Sequence, residues 1–463
     1  MALMQDCLWW RNTEPVEGAS LEADAFFDVG IIGAGFTGLW TAYFLHQLRP
    51  HWRIAIFEQH HVGYGASGRN GGWLLGGIAG QDVWLSGLSP AEQTQSRALL
   101  YGIIDSVKAI TEREQIHCTL EHKGVIYCAA RYSEQKRIAL TWLQNFKQAG
   151  HGEDDFHWLS AADAQRYLSL PKQMGAIYSP HCATINPAQL ATGLARVLLQ
   201  KGVKIFHGAR VTAMANRQIT INHRWQVNSG TTVLATEAFA SPHKALNKKR
   251  LPVFSAIVAT DSLPASAFED TIKVPGLAFS DVCRSVTYGQ RTANNELIFG
   301  ARGGYLFGSR SQFEFSAQAD IFNTPKIYWQ RLLPSLSLDT LTYQWAGSLA
   351  MSRRFSPFVN YDAESGLAAA GGYGGEGVGA SHLYGQTLAE LIAEEDSVRV
   401  RQPWVCRQSL GELRNWEPEP LPWLAYKVIG NVFRWEDYLC HANKARWLQT
   451  VTTGLSQQLE RLL

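Results

Sequence analysis

The first periodic segment is Phe26-Phe27-Asp28-Val29-Gly30-Ile31-Ile32, an apolar run suited to a strand buried on both faces of a parallel sheet. Gly33, Gly35 and Gly38 follow within six residues, and apolar positions then recur at helical spacing (Leu39, Tyr43, Phe44, Leu48) until Pro50. A second apolar run, Arg53-Ile54-Ala55-Ile56-Phe57, closes a unit of about thirty residues. Strand, helix and strand in that order imply a βαβ unit and a parallel sheet.

Helical spacing returns at 90–115, opened by Ser89-Pro90-Ala91-Glu92, and at 133–149, with the short β-like run Gly124-Val125-Ile126-Tyr127-Cys128 between them. A helix over 187–200, opened by Asn186-Pro187, leads into the strand Val203–His207. Consecutive strands over 209–234 end in Thr231-Thr232-Val233-Leu234-Ala235-Thr236. From 251 to 350 the pattern is strand-rich (Val253–Ala259, Ser285–Gly289, Glu296–Gly300, Thr342–Ala346), which predicts a mostly antiparallel lobe. A last strand at Gly366–Ala370 precedes the glycine cluster 371–379 and a helix through Glu394. The remaining 395–463 hold five of the sixteen tryptophans and end in a helical stretch.

The fold class expected is α/β with an α+β second lobe: a Rossmann-like domain from 26–90, 150–240 and 345–395, a substrate lobe from 91–149 and 241–344, and a C-terminal extension, 396–463.

The chain's 463 residues suit one large domain plus a second lobe. With 18% charged residues and a net charge of +2, nothing electrostatic points to nucleic acid or an anionic membrane, and the partner expected is a small molecule. Seven scattered cysteines without a Cys-x-x-Cys argue against a disulfide framework and a zinc site. His60-His61 invites a metal reading, but adjacent side chains diverge and no ligand cluster accompanies them; a solvated turn fits better. No secretory h-region follows a basic start, and no apolar stretch reaches the ~18 residues of a membrane span. A soluble, cytoplasmic protein is expected.

The spacing Gly33-x-Gly35-x-x-Gly38 gains weight from its place between strand and helix. There one glycine permits the tight turn, one lets backbone approach a pyrophosphate, and one allows close helix–strand packing. Glu58 ends the second strand, 25 positions after Gly33, where an acid takes ribose hydroxyls and repels a 2′-phosphate. Gly63-Tyr64-Gly65-Ala66-Ser67-Gly68-Arg69-Asn70-Gly71-Gly72 follows directly, five glycines in ten residues. A nicotinamide enzyme has no use for such a crossing, whereas an extended FAD needs backbone amides along its pyrophosphate and isoalloxazine.

These segments resemble the FAD-dependent amine and amino-acid oxidoreductases of the D-amino-acid oxidase, sarcosine oxidase and glycine oxidase superfamily. The Gly-Ala-Ser-Gly-Arg-Asn-Gly-Gly string looks like the branch holding γ-glutamylputrescine oxidase and putative aminophosphonate oxidoreductases. Thr231–Ser241 is similar to that family's strand-turn near FAD, and Phe299-Gly300-Ala301-Arg302-Gly303-Gly304 to its substrate-domain strand. Trp345-Ala346-Gly347 resembles the stretch leading to the C-terminal flavin loop, and Gly371-Gly372-Tyr373-Gly374-Gly375-Glu376-Gly377-Val378 the loop itself, while Trp416-Glu417-Pro418-Glu419-Pro420-Leu421 resembles a tail of the same branch.

The resemblance implies FAD held by Gly33, Gly35, Phe36, Thr37, Gly38, Glu58 and Gln59, by Gly65, Ala66, Ser67, Arg69, Asn70, Gly71 and Gly72, by Val211, Ala235 and Thr236, and by Gly374, Gly375, Glu376, Gly377 and Val378. It also implies Trp73, Arg302, Tyr305 and Tyr373 facing the substrate, with Arg302 suited to a carboxylate or phosphonate. Many relatives have His where Glu376 stands. The stretch 63–72 lacks the His or Cys that usually accompanies covalent flavin, so non-covalent FAD is expected. The implied reaction is oxidation of a small amine or amino acid at its C–N bond, with oxygen or a quinone as acceptor. The alternatives are a quinone-linked dehydrogenase of a C–O substrate, and a non-catalytic flavoprotein docking a partner through its Trp-rich tail.

Overall fold

A computed structural model describes residues 6–215 and 217–460. The run that opens the sequence pattern becomes the strand Ala25–Ile32, at the heart of an eight-stranded sheet. It pairs in parallel with Ile54–Phe57 on one side and with Trp225–Leu234 on the other. The sheet runs Phe358–Asp362, Leu367–Gly371, Trp225–Leu234, Ala25–Ile32, Ile54–Phe57, Lys204–Phe206, with Val211–Ala215 and Gln218–Ile221 attached beside Trp225–Leu234. Burial on both faces explains why the run does not alternate: Val29 and Ile31 lie in a core with the helices Phe36–Leu48, Pro187–Gln200 and Gly377–Ile392, while Phe27 and Ile32 pack on the opposite side with Phe57 and Phe206.

A second eight-stranded sheet runs Leu341–Ser352, Arg250–Thr260, Leu297–Gly304, Thr287–Arg291, Ala278–Asp281, Val125–Ala129, Gly175–Ser179, His157–Leu159. It is antiparallel except where Ala278–Asp281 meets Val125–Ala129. Phe279, Phe299 and Val258 pack from it against Trp329 and Tyr328 of the helix Asn323–Leu332, burying a separate core. A short ladder, Trp73–Leu75 with Cys182–Thr184, stands apart from both sheets.

Two expected boundaries fall elsewhere. His157–Leu159 and Gly175–Ser179 lie in the second sheet although 150–240 reads as part of the first domain. Leu341–Ser352 is also there, because it pairs with Arg250–Thr260 along almost its whole length, from Leu341 opposite Thr260 to Ser352 opposite Arg250. Short half-buried strands such as His157–Leu159 are too brief to show a period in sequence. The helix expected over 90–115 divides at Gly102 into Pro90–Tyr101 and Ile103–Arg113, and Ser89 with Glu92 forms the capping box that starts it.

In the extension, Trp404 stacks on Tyr384 of the helix Gly377–Ile392, and two helices, Leu421–His441 and Arg446–Glu460, finish the described chain. Among the described residues no helix is long and apolar enough to cross a membrane.

Candidate active site

The glycine turn sits between the central strand and the helix Phe36–Leu48. Gly33 has φ of +108°, and a Cβ there would lie 2.6 Å from the Ala235 carbonyl oxygen. A Cβ on Gly38 would come within 2.1 Å of the Gly33 carbonyl oxygen, so helix and strand approach as closely as backbone allows. Ala235, at the end of Trp225–Leu234, donates its N–H to the Ile32 carbonyl at 3.0 Å and so holds the neighbouring strand end against this turn.

Glu58 lies beside the same turn. One carboxylate oxygen accepts the Ala34 N–H at 2.8 Å and the other the His60 N–H at 2.8 Å. Burial pushes its pKa up, although these backbone bonds pull the other way. Gln59, the next residue, is exposed, and Val211 opens the strand Val211–Ala215 at the sheet margin.

The crossing 63–72 is braced from several directions. Gly63 donates to the Ala34 carbonyl at 3.0 Å, and the Ser67 hydroxyl accepts the Phe36 N–H at 2.9 Å. Ser67 therefore occupies the first free amide of the helix, which has no cap from its own N-cap residue, Gly35. The Asn70 amide donates to the carbonyls of Ala66 and Ser67, both at 3.0 Å, and its oxygen accepts the Gly72 N–H at 2.8 Å. Gln290 donates to the Gly71 carbonyl at 2.6 Å, and Trp345 to that of Arg69 at 2.7 Å. Arg69 itself is buried, lies over the Tyr64 ring and donates to the Phe313 carbonyl.

One brace has no counterpart in the sequence reading. The turn Leu8–Trp10 is buried under the crossing, where the Trp9 indole donates to the Asn70 carbonyl at 2.7 Å and Trp10 lies against Gly63 and Gly68.

The third segment is the loop before Gly377–Ile392. Gly374 and Gly375 carry positive φ, Glu376 is the N-cap residue without a side-chain cap bond, and Gly377 and Val378 open the first turn. Tyr373 is buried and its hydroxyl meets that of Thr37 at 2.8 Å. Of the four residues expected to face substrate, Tyr373 is thus the one whose polar end is committed to the nucleotide helix.

Trp73 packs with Cys182 and Tyr127, donates its indole N–H to Gly289 at 3.3 Å, and meets the Tyr288 ring edge-on at 6.2 Å. Tyr305 is buried, and its hydroxyl reaches Ser309 at 2.9 Å and donates to Glu419 of the extension. The guanidinium of Arg302, on Leu297–Gly304, has no hydrogen-bond or ion-pair partner among the described residues, yet no nitrogen of it is both sealed and unsatisfied. Its guanidinium therefore opens on free space.

Glu376 turns inward rather than to bulk solvent. Burial pushes its carboxyl up to about 7, with the Arg302 charge opposing that rise. Burial pushes up the Tyr127 phenol and the Cys182 thiol, and the Glu376 charge adds to both, so Glu376 lies within electrostatic reach of Tyr127, Cys182 and Arg302. Glu237 was also unforeseen: it follows Thr236, accepts the Ala350 N–H through both oxygens at 2.9 and 3.0 Å, and is pushed up to about 7 by burial. Nothing in the residues around Ala235-Thr236 marks it in sequence.

These features fit an extended dinucleotide. A glycine turn that a Cβ would fill, a buried carboxylate beside it and two helix N-termini without caps from their own N-cap residues are what adenosine ribose, pyrophosphate and flavin pyrimidine edge require.

The family description "FAD dependent oxidoreductase" matches residues 28–391. The chain is 26% identical over 378 residues to the probable oxidoreductase OrdL of Haemophilus influenzae, covering 80% of this chain and 83% of that one. It is 25% identical over 374 residues to the γ-glutamylputrescine oxidoreductase of Escherichia coli, covering 79% and 83%. Among solved structures, glycine oxidase from Bacillus cereus superposes with a TM-score of 0.65 at 19% identity, covering 83% of this chain and 99% of that one.

Proposed function

The chain belongs to the FAD-dependent oxidoreductase family, and from that premise we propose that it oxidises the C–N bond of a small amine that also bears an acidic group, such as an amino acid. Arg302 carries this reading: a guanidinium without a protein partner lies within electrostatic reach of a carboxyl, Glu376, on the loop before Gly377–Ile392. Opposite charges within reach of each other suit a substrate with an acid at one end and an amine at the other. The names of relatives, γ-glutamylputrescine oxidoreductase and glycine oxidase, agree with an amine.

FAD, when bound, supplies the hydride acceptor. The Gly33–Gly38 turn, Glu58, the 65–72 crossing, Ala235-Thr236 and the amides of 374–378 would hold it, without a covalent bond. Arg302 pairs with the substrate's acid group and fixes the carbon that loses hydride. Glu376, with a carboxyl near 7, takes the proton from the substrate ammonium at its carboxylate oxygen, leaving the neutral amine that can lose hydride. The substrate leaves as an imine, which water hydrolyses. Trp73 and Tyr288 wall the space and limit water.

An anaerobic screen of amines, diamines, amino acids, aminophosphonates and hydroxy acids for bleaching of the flavin band tests the reading. Bleaching by an acid-bearing amine is expected; bleaching by hydroxy acids alone overturns it. Repeating turnover with oxygen and with a quinone identifies the acceptor.

A further inference from the structure

The family match ends at residue 391, yet the extension beyond it reaches the proposed substrate site. The Trp416 indole donates to the Met351 carbonyl at 2.8 Å and lies under Arg353 at 5.3 Å. Glu417 pairs with Arg353 at 3.0 Å. Glu419 accepts the Gly308 N–H at 2.9 Å and the Tyr305 hydroxyl, three residues along the chain from Arg302. The helix Leu421–His441 then brings the half-buried Tyr426 ring to 5.9 Å from the Tyr305 ring, in an apolar cluster with Leu251, Val253 and Met351.

The far end of that helix is fixed as well. Asp437 pairs with Arg131 at 2.6 Å and with Arg331 at 2.7 Å, and Glu436 with Arg284 at 2.8 Å. A helix held at both ends presents Tyr426, in its second turn, at a defined place.

We propose that Tyr426 is a substrate-binding residue: the extension helix packs it beside Tyr305, at the end of the strand that carries Arg302, and Tyr426 and Arg302 together hold the oxyanion end of the substrate. The inference rests on the acid-bearing amine reading above. Tyr426 and Arg302 are near enough for the guanidinium to draw down the phenol's pKa against the rise from burial, and for the phenol to strengthen the guanidinium's hold on its proton. The Tyr426 hydroxyl, like the Arg302 guanidinium, has no hydrogen-bond partner among the described residues. Two unpartnered donors within electrostatic reach of each other, one charged, match the several oxygens of a carboxylate or phosphonate.

The test titrates oxidised holoenzyme with acetate and separately with methylphosphonate, following perturbation of the flavin band without turnover. Tyr426→Phe is expected to raise Kd for the better-bound anion about ten-fold, the size of one lost hydrogen bond to a charged group, and KM for acid-bearing amines similarly, with kcat and KM for uncharged amines little changed. Tyr426→Ala weakens binding further. Tyr438→Phe, exposed on the same helix, leaves both unchanged. Wild-type affinity in Tyr426→Phe, with an unchanged melting temperature, overturns the inference. Binding of the anion through Tyr426 with no amine bleaching the flavin would retire the reaction reading and leave Tyr426 in place.

Discussion

The hydroxyls of Thr37 and Tyr373 lie 2.8 Å apart, joining the helix of the glycine turn to the loop that opens Gly377–Ile392 across 336 positions of sequence. Both groups are buried, so each would be orphaned without the other. Tyr373→Phe is expected to lower unfolding free energy by about 1 kcal/mol. It should also weaken FAD binding several-fold by loosening the loop. Denaturant unfolding of holoenzyme, with the slope unchanged, measures the first effect, and flavin release on dilution the second.

Gly38→Ala puts a methyl 2.1 Å from the Gly33 carbonyl oxygen, a contact that only separation of helix and strand relieves. The purified variant should contain under a tenth of the wild-type flavin per chain, or be insoluble. A normal flavin-to-protein ratio would show that this turn does not carry the pyrophosphate.

Glu58→Gln keeps the shape but removes the charge proposed to receive the ribose hydroxyls. Hydrogen bonds to charged groups contribute about 1.5–3 kcal/mol, so Kd for FAD should rise roughly ten- to a hundred-fold in a fluorescence titration of apoprotein.

Glu376 gives a pH signature. If the ionised carboxyl takes the ammonium proton, kcat/KM for an acid-bearing amine rises with pH through about 7, and Glu376→Gln flattens that limb. The same group acts on stability in the opposite sense. The folded carboxyl holds its proton more tightly than the unfolded one, so between the ordinary carboxylate range and about 7 the folded chain binds more protons and stability falls as pH rises. Melting of apoprotein across that window should slope downward in the wild type and less so in the variant.

Arg302→Ala should raise KM for acid-bearing amines by ten-fold or more and leave KM for uncharged amines within about two-fold. An equal rise for both would indicate that Arg302 supports the fold rather than the substrate.

What the sequence revealed depended on locality. The turn at Gly33–Gly38 and the helix Pro187–Gln200 were legible because strand, glycines, caps and helical period are written in consecutive residues. The second sheet's composition was less so: Leu341–Ser352 looks like a prelude to the flavin loop, and only its pairing with Arg250–Thr260 reveals its allegiance. Within the site, Arg302 and Glu376 were reached only through the family resemblance, Arg302 by its place in the substrate-domain strand and Glu376 as a departure from the His expected there. Tyr426, Glu237 and the Leu8–Trp10 turn were not legible, since each reaches its place through tertiary contacts with residues far away in sequence.

The central strand Ala25–Ile32 takes one of its two neighbours from Ile54–Phe57, twenty-odd residues on, and the other from Trp225–Leu234, about two hundred residues on. During synthesis the first βαβ unit therefore leaves the ribosome with both edges bare, Ile54–Phe57 waiting for Lys204–Phe206 and Ala25–Ile32 for Trp225–Leu234. Translation speed and chaperone supply over this interval should govern the yield of the protein more strongly than anything in the finished site.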